Sequence, residues 1–472
     1  MKKLFTAILA SAILLSAFAG CGQKPVNSAD EGMGAQTSEN TENTADWADG
    51  SVQSEQSVFS NDFFNFEEET YTFGDRKYDT EITINDPYCY GTQTGAVNYA
   101  ALSDKLKIDC SVTSMDSNDI FIKILAGDTD FDIYMISATD AHKLLQAGIS
   151  SPIESEAIEK FNEGCFDYIS DFAKDNNGKP FIMPVASYVN GLIYSEDTAK
   201  EAGFTHEDLL YYDSMVEFVK NYNGNRKAYT TGANFFMSLE SQYEQYYCDF
   251  DNKKIDYMTD IYRKIYSTLE GWKRYSESPA PKYFENGLII NPLVDYDNIL
   301  FMEDNLNRFV ESISDTLRGA RQAVERGDFD ESYLDKFLTE EEIGQWCVSP
   351  MPRIDSTIDK NKVNVTFAYI NPYSQNKENA VKVLEELAAN YFDYLGVYKC
   401  TYLFEDESCY PENYLPESQL FADIYNICKN GYISAYQVNT VHGDIEEYQN
   451  GKITLDKAIE MYQREVDIWL NE

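Results

Sequence analysis

Phe131-Asp132-Ile133-Tyr134-Met135-Ile136, followed at once by Ser137-Ala138-Thr139-Asp140, is the stretch whose reading decides the fold. The first six residues are apolar but for one acid, and a run that short and apolar reads as a buried strand. From Thr139 to Gln146 a helical pattern takes over, with Ser137 or Thr139 as its cap and Gly148 just past its end. The same alternation extends upstream. Glu81-Ile82-Thr83-Ile84-Asn85 reads as a strand, and Asp86-Pro87-Tyr88-Cys89-Tyr90-Gly91 as the loop after it. A helix through Val97, Ala101 and Leu106 follows, then a strand over 107–112 and a helix over 120–126 ended by Gly127. Strand and helix in turn predict an α/β fold with a mostly parallel sheet and helices on both its faces.

The middle of the chain is more helical. Met258, Ile261, Ile265, Leu269 and Trp272 are spaced by three and four, as are Leu306, Phe309, Val310, Ile313, Leu317 and Ala320. Such stripes read as helix faces turned to a core. A length of 472 residues predicts more than one domain. The formal charge of −42 argues against nucleic acid, whose phosphates demand Lys and Arg, and against lying flat on anionic lipid.

No G-x-S-x-G elbow, H-E-x-x-H pair or Gly-rich phosphate loop occurs. The three histidines, His142, His206 and His442, lie far apart, and no C-x-x-C spacing appears. Among 80 acids a carboxylate pair at glycosidase distance arises by chance, so these absences leave a hydrolase open; the expectation is a protein that is not an enzyme and holds no metal or cofactor. Eight cysteines follow Cys21. They fall mostly inside apparent strands and helices and read as free thiols, with a Cys400–Cys409 loop bridge as the alternative.

The amino end carries Lys2 and Lys3, an apolar run from Leu4 to Phe18, then Ala19-Gly20-Cys21. This is the pattern of an export signal, and the run is too short to span a bilayer. The small residues before Cys21 resemble a bacterial lipobox, with Phe18 where Leu is usual. The resemblance implies a signal peptide over 1–20 and a diacylglycerol on Cys21. That would anchor the chain at the extracytoplasmic face of the cell membrane, with lipid as its only membrane contact. Residues 21–70 are polar and acidic, with Asp30, Glu31, Glu39, Glu42, Asp46, Asp49 and Glu55 against Lys24. They read as a disordered tether kept extended by self-repulsion.

Four segments, in this order, resemble the family 1 extracellular solute-binding proteins of ABC importers, the group that includes maltose-binding protein. The first is the opening strand with Leu144-Leu145-Gln146-Ala147-Gly148. The second is Gly178-Lys179-Pro180-Phe181-Ile182-Met183-Pro184, running on through Val189-Asn190-Gly191-Leu192-Ile193-Tyr194-Ser195 to Gly203. The third is Ala368-Tyr369-Ile370-Asn371-Pro372-Tyr373-Ser374-Gln375-Asn376-Lys377-Glu378, where Asn371-Pro372 stops a strand and Ser374 or Asn376 can cap a helix. The fourth is the tail from Gly451 to Glu472. Residues 205–345 carry little of the resemblance.

The resemblance implies a two-lobed, type II periplasmic-binding-protein-like fold, with mixed sheets flanked by helices and a ligand cleft between the lobes. It divides the chain into lobe 1 (76–187 with 370–405) and lobe 2 (188–369 with 406–472). It implies a monomer that hands a solute to ABC permease subunits, the solute being an oligosaccharide. The acidic charge keeps a cationic solute, polyamine or peptide, as the alternative. A surface glycoside hydrolase working through paired carboxylates, or a sensor or adhesin, stands as a further one.

In open α/β sheets ligands bind beyond the carboxyl ends of the strands. That rule selects the loops 86–91, 137–140 and 186–190. Tyr88 and Tyr90 bracket Cys89 and, on strand alternation, face one side, where aromatic faces stack on sugars or cations; packing at the core edge is the other reading. Ser137 and Asp140 place backbone donors and an acceptor at a helix start; Asp140 either accepts from a sugar hydroxyl or complements the helix dipole. By the family resemblance, Tyr188 and Tyr436 fall where ligand-stacking aromatics occur.

Overall fold

The apolar run 131–136 leads into a central strand of the six-stranded sheet, the larger of two main sheets among the described residues of a computed structural model of the chain. That structure describes residues 70–71, 77–87, 99–113, 117–229, 233–249, 254–272, 284–285, 288–289, 299–307, 309, 324, 345–392, 394, 402–410, 419–434, 447–448 and 450–471. The strands are β1 (Thr70–Tyr71), β2 (Glu81–Asn85), β3 (Asp109–Thr113), β4 (Ile133–Ser137), β5 (Met183–Tyr188), β6 (Asn190–Ser195) and β7 (Lys227–Tyr229). Two short antiparallel pairs follow, β8 (Cys248–Asp249) with β9 (Lys254–Ile255) and β10 (Phe284–Glu285) with β11 (Leu288–Ile289). Then come β12 (Ile299–Asn305), β13 (Trp346–Pro350), β14 (Asn361–Lys362), β15 (Asn364–Ile370) and β16 (Gly431–Tyr432). The helices are α1 (Tyr99–Leu106), α2 (Ser117–Leu125), α3 (Ala138–Gln146), α4 (Glu156–Glu163), α5 (Asp167–Phe172), α6 (Glu196–Ala202) and α7 (His206–Leu209). They continue with α8 (Tyr212–Asn221), α9 (Ala233–Gln242), α10 (Asp260–Trp272), α11 (Lys377–Ala389), α12 (Gln419–Lys429) and α13 (Leu455–Asn471).

The first sheet has the order β1-β3-β2-β4-β15-β5. Pairs β2–β3 and β2–β4 are parallel, whereas β1–β3, β4–β15 and β15–β5 are antiparallel. The sheet is thus mixed rather than mostly parallel. The reason is β15, a late strand that enters between β4 and β5 and runs against both. Local signals decide the helix after β4. Ser137 caps α3 by accepting from the Asp140 N–H at 3.1 Å. Gly148, at φ +69°, turns the chain out while its N–H and that of Ile149 return to the carbonyls of Leu145 and Leu144.

A buried acid staples β15 to this half. Asp132 accepts from the Thr83 N–H (3.0 Å), Thr83 Oγ1 (3.1 Å), Ser374 Oγ (2.5 Å) and Asn376 Nδ2 (3.3 Å). Asn371 Nδ2 donates to the carbonyls of Asp128 and Phe131. Asn371 therefore does follow the strand's end. Asn376 stands at the N-cap of α11 but makes no side-chain cap bond; its side chain is turned to Asp132, to which Nδ2 donates.

The second sheet has the order β13-β6-β12-β7. Its strands alternate between two cores. Leu192, Tyr194, Leu300 and Phe301 join a core with Tyr262, Ile265, Tyr266 and Tyr462. Ile193, Met302, Trp346 and Val348 join the other, which runs through α12 into the first sheet's core. The chain passes from β5 to β6 through Val189 alone and returns from β13 to β15 through residues 351–363. The return reaches the first sheet at Asn364, six residues before the lobe boundary expected at 370. Ile255 to Trp272 is not one helix. Ile255 lies in β9, Met258 is exposed, and α10 buries Tyr262, Ile265 and Tyr266. Cys110, Cys165, Cys248, Cys347, Cys409 and Cys428 are free thiols; Cys89 and Cys400 lie outside the described residues.

Candidate functional site

Both segments that cross between the sheets pass one narrow polar recess. Val189 and Asn190 come from the first crossing, and Met351, Asn361, Lys362 and Asn364 from the return. The carboxyl half of α9 closes it with Ser238, Ser241 and Gln242. The recess is small, with a cavity volume of about 20 Å³, room for a single water, and it opens to solvent.

Its polar groups are held from behind. Asn190 Nδ2 donates to Ser238 Oγ at 3.2 Å, which donates to Glu303 Oε1 at 3.0 Å. Burial pushes the Glu303 carboxyl up to about 7. Asn361 Nδ2 donates to the Ile427 carbonyl at 3.1 Å, and its backbone N–H to Asn430 at 2.9 Å. Tyr432 OH donates to the Gln242 carbonyl at 2.7 Å. Two wall groups have no partner among the described residues. They are Gln242 Nε2 and Asn361 Oδ1, on residues only 2% and 5% exposed. A buried polar group left unpaired costs about 1–3 kcal/mol. One donor and one acceptor are thus placed to take a hydroxyl or another neutral polar group. The one charged side chain of the lining, Lys362, is neutralised by Glu244 at 3.8 Å.

The recess sits at the carboxyl edge of the first sheet's parallel strands. Thr366 of β15 pairs with Ser137 on one side and Ala186 on the other, and Asn364 pairs with Tyr188. Tyr188 is half-buried at the end of β5, and burial raises its phenol pKa. It adjoins Val189 in the chain and faces Asn364 across the ladder, two residues that line the recess. Ser137 and Asp140 lie on the same edge but not in that lining. Ser137 Oγ donates to Asp140 Oδ2 at 2.9 Å, and burial raises the Asp140 carboxyl pKa. Asp86 is held at the start of its loop by Tyr99 OH at 3.2 Å. Tyr88, Tyr90, Tyr436 and Cys21 lie outside the described residues.

Of the three loops selected from sequence, 186–190 supplies two recess residues, Val189 and Asn190. Sequence reasoning missed Ser238, Ser241, Gln242, Asn361, Lys362 and Asn364. Two signals were present. Ser238, Ser241 and Gln242 recur at i, i+3 and i+4, a polar stripe on one helix face. Asn361-Lys362-Val363-Asn364 is a polar lead-in to a strand otherwise apolar but for one threonine. Among the described residues, no group of His, Cys, Asp and Glu could hold a metal, and no helix is long and apolar enough to cross a membrane.

Residues 98–290 match the family model of the bacterial extracellular solute-binding proteins. The matched span takes in β3 to β6, the first crossing and α9, and so both ends of the recess's first wall. A search of the curated proteins finds no match. Over that span the chain is similar to bacterial extracellular solute-binding proteins, and its α/β architecture, with two main sheets among the described residues, agrees with their two-lobed fold.

Proposed function

We propose that this chain is an extracytoplasmic receptor, anchored by lipid on Cys21, that captures a solute between its lobes and delivers it to an ABC permease. The observation that carries the reading is the recess where both crossings meet, walled largely by amides and hydroxyls, with one donor and one acceptor that have no partner among the described residues. Closure of two lobes about such crossings buries a solute and commits it. The division into lobes follows the sequence reading, 76–187 with 370–405 and 188–369 with 406–472, with the return moved to 364. The receptor acts as a monomer and does no chemistry on its solute.

The solute is an oligosaccharide. Among the described residues the lining offers neutral hydrogen-bonding groups and no carboxylate for a polyamine or cationic peptide. Tyr188, next to Val189 in the chain and paired with Asn364, is the residue that would supply an aromatic face for a sugar ring. A thermal-shift panel on the full chain tests this, since a ligand that binds only the native state raises the melting temperature by mass action. Oligosaccharides are expected to raise it and spermidine or a lysine-rich peptide to leave it unmoved. A shift with the cations alone would overturn the sugar reading, and no shift with any member would overturn solute capture.

A further inference from the structure

At the wall of the recess, Lys362 meets two acids that are shut away from water. Lys362 and Glu244 pair at 3.8 Å with their side chains only 14% and 6% exposed. Glu244 also accepts from Ser434 Oγ, on the segment after β16. Glu240, one helical turn earlier, is buried and accepts from Tyr262 OH of α10 at 2.7 Å. Tyr462 of α13 hydrogen-bonds to it as well. Among the described residues, the other titratable groups facing this cluster are Tyr247, Tyr257, Tyr432 and Cys248. Burial raises the pKa of each of these phenols and of the thiol, so all stay neutral donors. With Glu240, Glu244 and Lys362 all ionised, the cluster would carry one uncompensated negative charge out of water. Such a charge is expensive, and a bound proton is the simplest way to remove it.

The cluster also lies on a seam. Glu240 and Glu244 sit on α9 and the turn after it, which pack with the second core through Leu239, Tyr243 and Tyr247. Lys362 and Tyr432 sit on β14 and β16, whose neighbours Val363, Ile427 and Cys428 belong to the first core. Tyr432 OH to the Gln242 carbonyl and Ser434 to Glu244 complete the seam.

We propose that this cluster is a proton-dependent clamp between the two cores: docking α9 and its following turn onto β14 and β16 takes up one proton, shared by Glu240 and Glu244. Acid tightens the seam and alkali loosens it. The directions agree, since burial pushes Glu240 up to about 7 and Glu244 up to about 6, and lowers the Lys362 pKa. Because both acids are raised above their ordinary value of 4.5, their contribution is complete below that value and is lost as pH rises through about 6 to 7. The clamp does not depend on the identity of the solute.

Amide hydrogen exchange of residues 233–247 in the full chain, corrected for the intrinsic rate, tests it. Protection should fall at least tenfold between about pH 5.5 and about pH 8. Glu240→Gln leaves one acid and one base and should abolish that dependence. Glu303→Gln removes the other raised acid beside α9 and should leave it intact. Protection that ignores pH, a dependence that survives Glu240→Gln, or one that vanishes with Glu303→Gln would each overturn the clamp. Should Glu240→Gln fail to fold, infrared spectra of the Glu303→Gln chain decide. A protonated-carboxyl carbonyl band growing as pH falls from about 8 to about 6 is expected, and its absence overturns the proposal.

Discussion

Replacing Gly191 by alanine should unlock the second sheet. Gly191 is the second residue of β6, paired with Asp304 on one side and Pro350 on the other. A Cβ there would stand 2.4 Å from the Ser349 carbonyl oxygen and 2.8 Å from Leu306 Cδ1. The leucine can turn, but the carbonyl belongs to the backbone of the neighbouring strand and cannot. Overpacking of a closed core costs about 1–3 kcal/mol, and a fixed backbone contact puts this case at about 3 kcal/mol. Asn190, the preceding residue, would leave Ser238 as the strand moves, so solute affinity should fall as well. Denaturant unfolding followed by tryptophan fluorescence reads the loss, because Trp346 is buried on β13 opposite Ser195 of β6. A Gly191→Ala chain within about 0.5 kcal/mol of the parent would refute the packing argument.

Asp132→Ala should cost about 3 kcal/mol, because it strands three side-chain donors and one backbone N–H on Thr83, Ser374 and Asn376. Urea unfolding measures it, and a loss below about 1 kcal/mol would show that the staple is not formed. Burial pushes the Cys110 thiol up to about 11 and raises Cys165 and Cys428 further. In the native chain these three should resist a thiol reagent near pH 8, about the ordinary thiol pKa, and react once denatured. Rapid native labelling, located by peptide mapping, would count against the cores as described.

What the sequence disclosed was local. The α3 cap at Ser137, the Gly148 exit and the strand ending at Asn371 depend on neighbours within a few residues, and each is where its signal put it. Sheet order was not legible, since β15 reaches β4 from more than two hundred residues away. Nor was the partner of Asn376, whose side chain is turned to Asp132 instead of capping its helix. On α10 the apolar stripe was half the face: Ile265 is buried as its spacing implied, but so are Tyr262 and Tyr266, and the Tyr262 hydroxyl reaches Glu240. Asp140 shows the reverse, a site signal that closes on its own cap residue. The recess draws its walls from three distant segments, each polar residue being ordinary alone, so only the fold reveals the set.

The central claim is that a solute is held by the recess, and calorimetric titration of the full chain with an oligosaccharide from the panel tests it most directly. The account predicts saturable one-to-one binding, without turnover. Gln242→Leu, Asn361→Leu and Tyr188→Ala should each weaken it by about tenfold or more, the worth of one or two buried hydrogen bonds or a stacked ring. Binding of unchanged affinity in all three variants would contradict the account.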